Sequence, residues 1–398
     1  MVPPDAPSGA YLDNNATTAV AEEVLAAMLP WFRERPGNPS SLHGLGEEAF
    51  AALSKARGQV ARLVNAGQVR EITFTGSATE ATNMAIAAAL GKSTGRTHAI
   101  TSTTEHAATL EGLACRAIPT TSIGVDASGT IDHAAALAAI RETGPRLALV
   151  TLLFVNNETG RIQDPATLRA IADAAHEVGA LVHFDIVQAA GKIPLDLPAL
   201  GADMASLSAH KLHGPKGVGA LWIKSGTFES FPRLIAGGPQ ERERRAGTEN
   251  VPGIVGFGQA AERAQQHLAA PGAVQRIAAM RDRLESALAS ELSDLTVASA
   301  AALRVASTSC VEFHGIDGEA ALLMLSQYGI QVSTGSACGS SHHGPSHVLA
   351  AMGRTDAEAS SSLRMSLSAE TTEPEIDLVI ATLPGVIRTL RSLAGLPT

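Results

Sequence analysis

The sequence has few cysteines, few aromatic residues and no uninterrupted apolar run long enough to span a bilayer. Cys115, Cys310 and Cys338 are an odd number scattered over 398 residues, which makes a poor disulfide framework. Aromatic residues are only 3% of the chain, while alanine is abundant, as in folds with many tightly packed helices. The N-terminus has an early acid and no basic-then-apolar pattern, unlike a signal peptide. We therefore expect a cytoplasmic protein that does not bind membranes.

Clusters of basic residues are scarce as well. Lys and Arg total 30 against 39 Asp and Glu, which gives a formal net charge of −9. A protein whose main partner is nucleic acid or an anionic membrane needs clustered Lys and Arg. The charge balance therefore argues against both partners. Hydrophobic residues make up 45% of the chain and charged residues 17%, which is ordinary for a globular protein.

From about residue 70 the sequence alternates short β-rich runs with helical stretches. The runs are REITFT, HAITSTT, PRLALVTLLF, ALVHFD, ADMASLSAH and GALWI. They are nearly continuous in apolar or β-branched residues, as expected when helices cover both faces of a parallel sheet. The pattern predicts a large α/β domain over 21–262 and a smaller α+β domain over 263–398. An N-terminal segment, 1–20, is too short for a domain and is predicted to pack with the smaller one.

Lysine ends one predicted strand, at Lys211 in SLSAHKLHGPKGVG. An amine at a strand end, close to small residues and hydroxyls, suits a Schiff base with an aldehyde cofactor. Burial there favours the neutral amine that such an attack needs. Taken alone, Lys211 fits a surface lysine in a loop better, and the other strand ends decide between the two interpretations.

Three more strand ends carry polar residues. Asp185 closes a buried strand, where an acid is costly unless paired; a pyridinium nitrogen would pair with it, and Gln188 could donate to the ring's phenolic oxygen. Taken alone, Asp185 could equally be a structural acid. A turn of small residues leads through Thr79 into a helix, which makes a phosphate cradle. His106 follows another strand and could stack on the ring. The four segments converge where ligands bind open α/β sheets.

At this point the sequence resembles the NifS/IscS-type cysteine desulfurases, within the class V aminotransferases of pyridoxal-phosphate (PLP) fold type I. The resemblance runs almost from end to end. It rests on YLDNNATT at 11–18, GNPSS at 37–41, NNETG at 156–160, SAHK at 208–211, RAGTEN at 245–250 and STGSAC at 333–338. It implies a mostly parallel seven-stranded sheet in the large domain and PLP as the cofactor.

The resemblance also implies the contacts of the cofactor. Lys211 would carry it as a Schiff base and later remove the substrate's α-proton. Asp185 would pair with the ring nitrogen, His106 would stack on the ring, and Gln188 would contact the phenolic oxygen. The remaining cofactor contacts would be Ala78, Thr79, Ser208, His210 and Thr248, with Thr248 reaching the phosphate from a second subunit. The enzyme would therefore be a homodimer.

Substrate and nucleophile follow from the same resemblance. Asn157 and Arg364 would hold the carboxylate of L-cysteine, because a guanidinium fork matches a carboxylate bidentately. Cys338, in a Ser/Gly/Ala-rich stretch, would attack the substrate sulfur and keep it as a persulfide, which releases alanine. The sulfur would then pass to an acceptor protein, such as an iron–sulfur cluster scaffold or a component of another thiolation pathway.

Five places depart from the family pattern. They are the reversed order Gly76-Ser77, Ile186 beside Asp185, Pro239 within the GGxQE run, His342-His343-Gly344 in the cysteine loop, and Ser368-Ala369 after the Arg364 strand. None removes a catalytic group. Ile186 bears on how the cofactor fits, and the altered loop bears on the choice of acceptor.

Three other interpretations remain open from the sequence. Cys338, His342, His343 and His347 resemble a set of metal ligands, but a zinc ion there would occupy the nucleophile, so we expect no metal. A selenocysteine lyase or another class V aminotransferase would share the same PLP site. An inactive homologue could serve as a structural partner in a sulfur-transfer complex, although the retained Lys211, Asp185, His106 and Cys338 speak against it.

Overall fold

The computed structural model describes residues 9–92, 95–335 and 344–397. Its strands are β1 (Ala10–Tyr11), β2 (Ile72–Thr75), β3 (His98–Ser102), β4 (Thr120–Ile123), β5 (Leu147–Leu153), β6 (Leu181–Asp185), β7 (Met204–Ser208), β8 (Gly219–Ile223), β9 (Leu295–Val297), β10 (Thr308–Phe313), β11 (Ile330–Gln331) and β12 (Ser362–Ser366).

The α-helices of the described chain are α1 (Glu22–Met28), α2 (Pro30–Arg33), α3 (Gly44–Leu63), α4 (Ala78–Lys92), α5 (Ala107–Ala114), α6 (His133–Thr143), α7 (Pro165–Glu177), α8 (Leu197–Leu200), α9 (Val251–Ala269), α10 (Ala273–Glu291), α11 (Gly318–Gln327), α12 (His347–Ala351), α13 (Asp356–Ser360) and α14 (Glu373–Leu393). Local signals explain several helix starts. The Asp164 carboxylate, for example, accepts the Thr167 N–H at the start of α7, and Pro165 takes the first helical position.

Seven strands form the large sheet, in the order β2-β8-β7-β6-β5-β3-β4. Neighbouring strands are parallel except at β8, which runs antiparallel to both β2 and β7. β2 and β7 therefore point the same way, and their carboxyl ends share one edge of the sheet with those of β3 and β6. The predicted α/β fold with a mostly parallel seven-stranded sheet is confirmed.

Helices cover the large sheet, so its central strands are buried from solvent. Every residue of β5, β6 and β7 is buried. One apolar cluster joins the sheet to α3, α6, α7 and α9, and a second joins it to α4 and α5. This double burial is why the strand sequences are almost continuously apolar instead of alternating.

A third apolar cluster forms in the C-terminal part of the chain and includes Ala10 and Leu12 from the N-terminal segment. There β12-β10-β9 form an antiparallel sheet, and β1 pairs in parallel with β11. The predicted boundary at 262/263 falls within α9, and the domain limits stay a prediction. Among the described residues, no helix combines the length and the apolar character that a bilayer crossing requires.

Candidate active site

A cavity of about 480 Å³ lies at the carboxyl edge of the large sheet. It is lined by residues at or just after the carboxyl ends of β2, β3, β5, β6 and β7, which share that edge, and by residues of the N-terminal segment. The structure brings nine of the predicted site residues into this lining: Ala78, Thr79, His106, Asn157, Asp185, Gln188, Ser208, His210 and Lys211. The convergence follows from the sheet order, since parallel strands present their carboxyl ends together.

Two of the other predicted site residues, Thr248 and Arg364, do not line this cavity. Thr248 is exposed and lines a separate cavity of about 80 Å³ with Gly76 and Arg245. Arg364 is buried on β12 and does not line the larger cavity. Cys338 lies outside the described residues, as do His342 and His343 of the alternative metal site. Within the described ranges, no group of three or more His, Cys, Asp or Glu side chains could hold a metal ion.

Lys211 ends a 3-10 turn that begins directly after β7. Its Nζ donates to the backbone carbonyls of Asn15 and Ala16, over 2.6 Å in each case. The N-terminal segment therefore lies against the cavity and holds the amine at its wall. The sequence indicated Lys211 but gave no role to Asn15, although Asn15 belongs to the YLDNNATT motif.

Asn15 connects several polar groups around the cavity. Its backbone carbonyl also accepts the Gln188 Nε2–H over 3.0 Å, and its Oδ1 accepts from Lys192 Nζ over 2.6 Å. Its Nδ2 donates to the Asn157 carbonyl over 3.1 Å. Buried polar atoms need such partners, so this network fixes the relative positions of groups that come from distant parts of the chain.

Asp185 ends β6 with its side chain buried. Its Oδ1 accepts the Val187 N–H over 2.9 Å. Burial raises the pKa of this carboxyl, while the charges of His106 and Lys211 and the Val187 N–H counteract the rise. A cationic ring nitrogen beside Asp185 would favour the carboxylate further, because an opposite charge offsets the cost of burial.

His106 caps the start of α5. Its Nδ1 accepts the Ala108 N–H over 3.0 Å, so a neutral His106 carries its proton on Nε2. The same hydrogen bond fixes the plane of the imidazole at the cavity wall. The ring is thereby placed as a flat surface with a defined donor, which suits stacking and proton transfer.

The far end of the cavity is suited to a phosphate. It contains the first turn of the 15-residue helix α4, whose N–H groups favour an anion. Gly219 lets β8 approach this turn, since a Cβ there would lie 2.5 Å from the Ser77 carbonyl carbon. His210 contacts Thr17 Oγ1 over 3.1 Å, and burial together with Lys211 and Lys216 lowers its pKa to about 4. His210 is therefore neutral near pH 7.

Two buried glutamates near the cavity were missed as functional candidates in the sequence. Burial raises the pKa of Glu105 to about 8 and that of Glu158 to about 7. Glu105 Oε1 accepts from Ser102 Oγ over 2.6 Å and from the Leu153 N–H over 2.9 Å. Glu158 Oε2 accepts from Ser346 Oγ over 2.5 Å. Glu105 directly precedes His106, and Glu158 lies in the NNETG motif, so the sequence points to their neighbours and not to the two acids themselves.

Ile186, one of the departures from the family pattern, is fully buried in the core and does not line the cavity. Its side chain therefore packs with the large sheet. The altered loop at 342–344 lies mostly outside the described residues. His347, which follows it, contacts the Glu105 carbonyl through Nε2 over 3.0 Å.

The sequence matches the aminotransferase class-V family over residues 10–379. The chain belongs to this family. It is 45% identical over 393 residues to a cysteine desulfurase of Cereibacter sphaeroides, and the match covers 96% of this chain and 97% of that one. Enzymes of this family depend in general on pyridoxal phosphate.

Solved structures agree with this assignment. A NifS-like protein superposes with a TM-score of 0.86 at 35% identity, covering 96% of this chain and 100% of that one. SspA in complex with cysteine superposes with a TM-score of 0.78 at 33% identity, covering 91% of this chain and 100% of that one. The predicted PLP fold type I is confirmed.

Proposed function

We propose that the protein is a cysteine desulfurase, which converts L-cysteine to L-alanine and takes the sulfur as a persulfide on Cys338. The observation that carries the proposal is the arrangement of Lys211, Asp185 and His106 around one cavity. An amine, a buried carboxylate and an imidazole at the carboxyl edge of an α/β sheet form the set that amino-acid chemistry with an aldehyde cofactor requires. The similarity to cysteine desulfurases over the whole chain selects cysteine as the substrate.

The cavity residues fit pyridoxal phosphate. Lys211 offers an amine to the aldehyde, Asp185 a carboxylate to the ring nitrogen, and Gln188 an amide to the phenolic oxygen. The first turn of α4, with Thr79, Ser208 and His210, offers donors to the phosphate. When bound, the cofactor supplies an electron-withdrawing ring that stabilises negative charge on the substrate's α-carbon.

Proton transfer falls to Lys211 and His106. Lys211, once it is neutral, takes the α-proton, and the carbonyls of Asn15 and Ala16 hold its amine in place. His106 presents Nε2–H from a ring whose other nitrogen is already bonded. Asn157 lines the cavity, and the Asn157 carbonyl accepts from Arg364 Nη1 over 3.2 Å, which links the two residues proposed to hold the substrate carboxylate.

Sulfur transfer is assigned to the Cys338 thiolate, which bonds to the substrate sulfur as the bond from that sulfur to Cβ breaks. The electron pair left on the substrate takes up one proton at Cβ, which becomes the methyl group of alanine, and the α-carbon regains the proton that Lys211 removed. Cys310 is unsuited to this role because it is buried and burial raises the pKa of its thiol. Cys115 is exposed at the end of α5 and does not line the cavity.

We infer that the enzyme works as a homodimer in the cytoplasm and passes its persulfide sulfur to an acceptor protein, such as an iron–sulfur cluster scaffold. Support for the dimer comes from large apolar side chains that are exposed on the single chain between residues 25 and 50: Leu25, Leu29, Phe32, Leu42, Leu45 and Phe50. Large apolar side chains left exposed along one stretch of the chain fit a surface that a second subunit covers. Thr248 is exposed too, as a residue that serves a second subunit must be.

The test is a product balance. Purified protein loaded with pyridoxal phosphate is incubated with L-cysteine and a thiol reductant, and alanine and sulfide are quantified together. Equal amounts of both are expected. Pyruvate and ammonia would mean β-elimination and would remove Cys338 from the mechanism. Faster turnover of selenocysteine would favour a selenocysteine lyase, and loaded protein that makes no product from either amino acid would contradict the proposal.

A further inference from the structure

Lys192 is a half-buried lysine beside the cavity that the proposed reaction does not use. It lies in the turn after β6, four residues beyond Gln188. Its Nζ donates to Gln188 Oε1 over 2.5 Å and to Asn15 Oδ1 over 2.6 Å. A lysine ammonium has three N–H donors and no acceptor, so it fixes which atom each neighbour turns toward it.

The orientation of the Gln188 amide follows from its two neighbours. A protonated Lys192 can only donate, so the Gln188 atom beside it is the carbonyl oxygen. The Asn15 backbone carbonyl can only accept, so the Gln188 atom 3.0 Å from it is the amide nitrogen. Both neighbours demand the same orientation. Because Gln188 lines the cavity, its second N–H is the polar group that it can present to a ligand.

We propose that Lys192 is a positioning residue, which holds Gln188 with its N–H edge toward the cavity and so makes position 188 a donor to the phenolic oxygen of the cofactor. The inference rests on the proposed function, because it presupposes that pyridoxal phosphate binds in this cavity. Without Lys192, the Gln188 carbonyl would lose its partner. The amide could then rotate and present an acceptor to a negatively charged oxygen, which that oxygen would repel.

The same ammonium orients Asn15. Because Lys192 takes Asn15 Oδ1, Asn15 Nδ2 is left to donate to the Asn157 carbonyl and to Thr308 Oγ1, over 3.1 and 3.0 Å. The Asn15 side chain is thereby bonded on both ends. Its backbone carbonyl, which receives Lys211, is held in place as a result. Lys192 thus orients Gln188 directly and influences the position of Lys211 through Asn15.

The charges around Lys192 are mostly positive. Burial, Lys211 and Arg364 lower the pKa of Lys192 to about 7. Behind Lys192, a small cavity of about 60 Å³ is lined by Arg263, His213 and His267. Glu370 pairs with both Arg263 and His213, so its charge is already shared. The two oxygen acceptors are what hold the ammonium in this surrounding, which makes its contacts with Gln188 and Asn15 costly to lose.

The test is a double-mutant cycle between Lys192→Met and Gln188→Ala, read as the pH midpoint of the visible absorption of the bound cofactor. A donor that shares the negative charge of the phenolic oxygen weakens its hold on the nearby proton, so each variant should raise the midpoint by about one pH unit. If Lys192 acts through Gln188, Lys192→Met should shift the midpoint of the Gln188→Ala variant by less than half as much as it shifts the midpoint of the wild type.

Three controls keep the outcomes distinct. Lys192→Arg keeps a cation with several donors and should return the midpoint toward the wild-type value. Lys192→Gln replaces the ammonium with a neutral polar group. If Lys192→Met does not fold, the pH midpoint is measured on Lys192→Gln in its place. Lys224→Met removes an exposed lysine outside the cavity and should leave the midpoint unchanged.

Additive shifts in the cycle would overturn the assignment, since Lys192 would then act on the cofactor without Gln188. A midpoint that neither Lys192→Met nor Lys192→Gln alters would overturn it as well. Wild-type protein that takes up no pyridoxal phosphate would instead overturn the proposed function, and the Lys192 assignment with it. Loading of the wild type is therefore measured first and separates the two failures.

Discussion

Arg364 donates from Nη2 to Asp13 Oδ1 over 2.8 Å, and the pair joins β12 to the N-terminal segment. The guanidinium is 1% exposed and its Nη1 bonds to the Asn157 carbonyl, while its Nε has no partner among the described residues. A buried guanidinium needs several acceptors, and here the substrate carboxylate would complete the set. The N-terminal segment therefore lines the cavity through Asn15 and, through Asp13, holds the residue proposed to bind the carboxylate.

Arg364→Lys tests the proposed carboxylate site. A lysine keeps the charge but lacks the planar fork that bonds to Asp13 and the substrate together. We expect kcat/KM for L-cysteine to fall by about 10- to 100-fold, mainly through a higher KM, since hydrogen bonds to charged groups contribute about 1.5–3 kcal/mol. Steady-state kinetics with varied cysteine measure the change.

The matched control for that variant is Arg354→Lys. Arg354 forms a similar half-buried ion pair with Glu312, over 2.9 Å, away from the larger cavity. It should leave the KM for cysteine unchanged. An equal rise in KM for both variants would mean that general destabilisation, and not carboxylate binding, explains the effect.

Lys211→Ala tests the proposed covalent attachment of the cofactor. The variant should lose the visible absorption of the bound cofactor and all desulfuration, because it removes the amine that the Asn15 and Ala16 carbonyls hold at the cavity wall. Lys216→Ala, which changes a second lysine of the cavity lining, should retain the absorption. Turnover that survives in Lys211→Ala would remove this residue from the mechanism.

Cys338→Ala should keep pyridoxal phosphate bound and stop persulfide formation, since the thiolate is the proposed sulfur acceptor. Persulfide on the protein is measured after incubation with L-cysteine by labelling and mass spectrometry. Cys115→Ala is the matched control, because Cys115 is exposed and does not line the cavity. It should form persulfide normally. Sulfide release at the full rate from Cys338→Ala would contradict the assignment.

Much of the site could be predicted because four strands of the large sheet, β2, β3, β6 and β7, end in polar residues. Asp185 is the last residue of β6, and Lys211 ends the short turn that follows β7. Parallel strands bring such ends together whatever their order in the sequence. The edge strand β4 was not predicted. Its sequence, TTSI, is half-exposed and lacks the apolar run by which the central strands are recognised.

The network around Asn15 could not be predicted in the same way. Asn15 reaches Lys211 and Lys192 because the segment before it is fixed by the pairing of β1 with β11, a contact between residues more than 300 positions apart. No local pattern encodes such a pairing. The charge state of a buried acid such as Glu105 is equally hidden, because it depends on the packing that removes water from the carboxyl.

Subunit complementation tests the proposed role of Thr248. Thr248→Ala should weaken cofactor binding, and Lys211→Ala should abolish turnover. If Thr248 serves the partner's cavity, a mixed dimer of the two variants has one site with both defects and one site with neither. Co-refolded mixtures should then regain activity, up to about half of the wild-type level per mixed dimer. A mixture no more active than its separate components would place Thr248 in its own subunit's site.

Glu105→Gln tests the protonated state of the buried acid. Glu105 Oε2 has no partner among the described residues, and burial raises the pKa of the carboxyl from 4.5 to about 8. Between these values the unfolded chain has lost a proton that the folded chain keeps, so the wild type loses stability as pH rises. Glutamine does not titrate, so the free energy of unfolding of the variant should rise relative to that of the wild type by about 1.4 kcal/mol per pH unit.

Urea unfolding of both proteins at pH 5, 6, 7 and 8 measures this slope. Glu358→Gln is the control, because a hydrogen bond from the Thr355 N–H lowers the pKa of Glu358 and its titration therefore lies below this range. The difference in unfolding free energy between Glu358→Gln and the wild type should stay constant over these pH values. A constant difference for Glu105→Gln as well would mean that Glu105 is ionised throughout. A carboxylate charge beside Asp185 and His106 would then belong to the site.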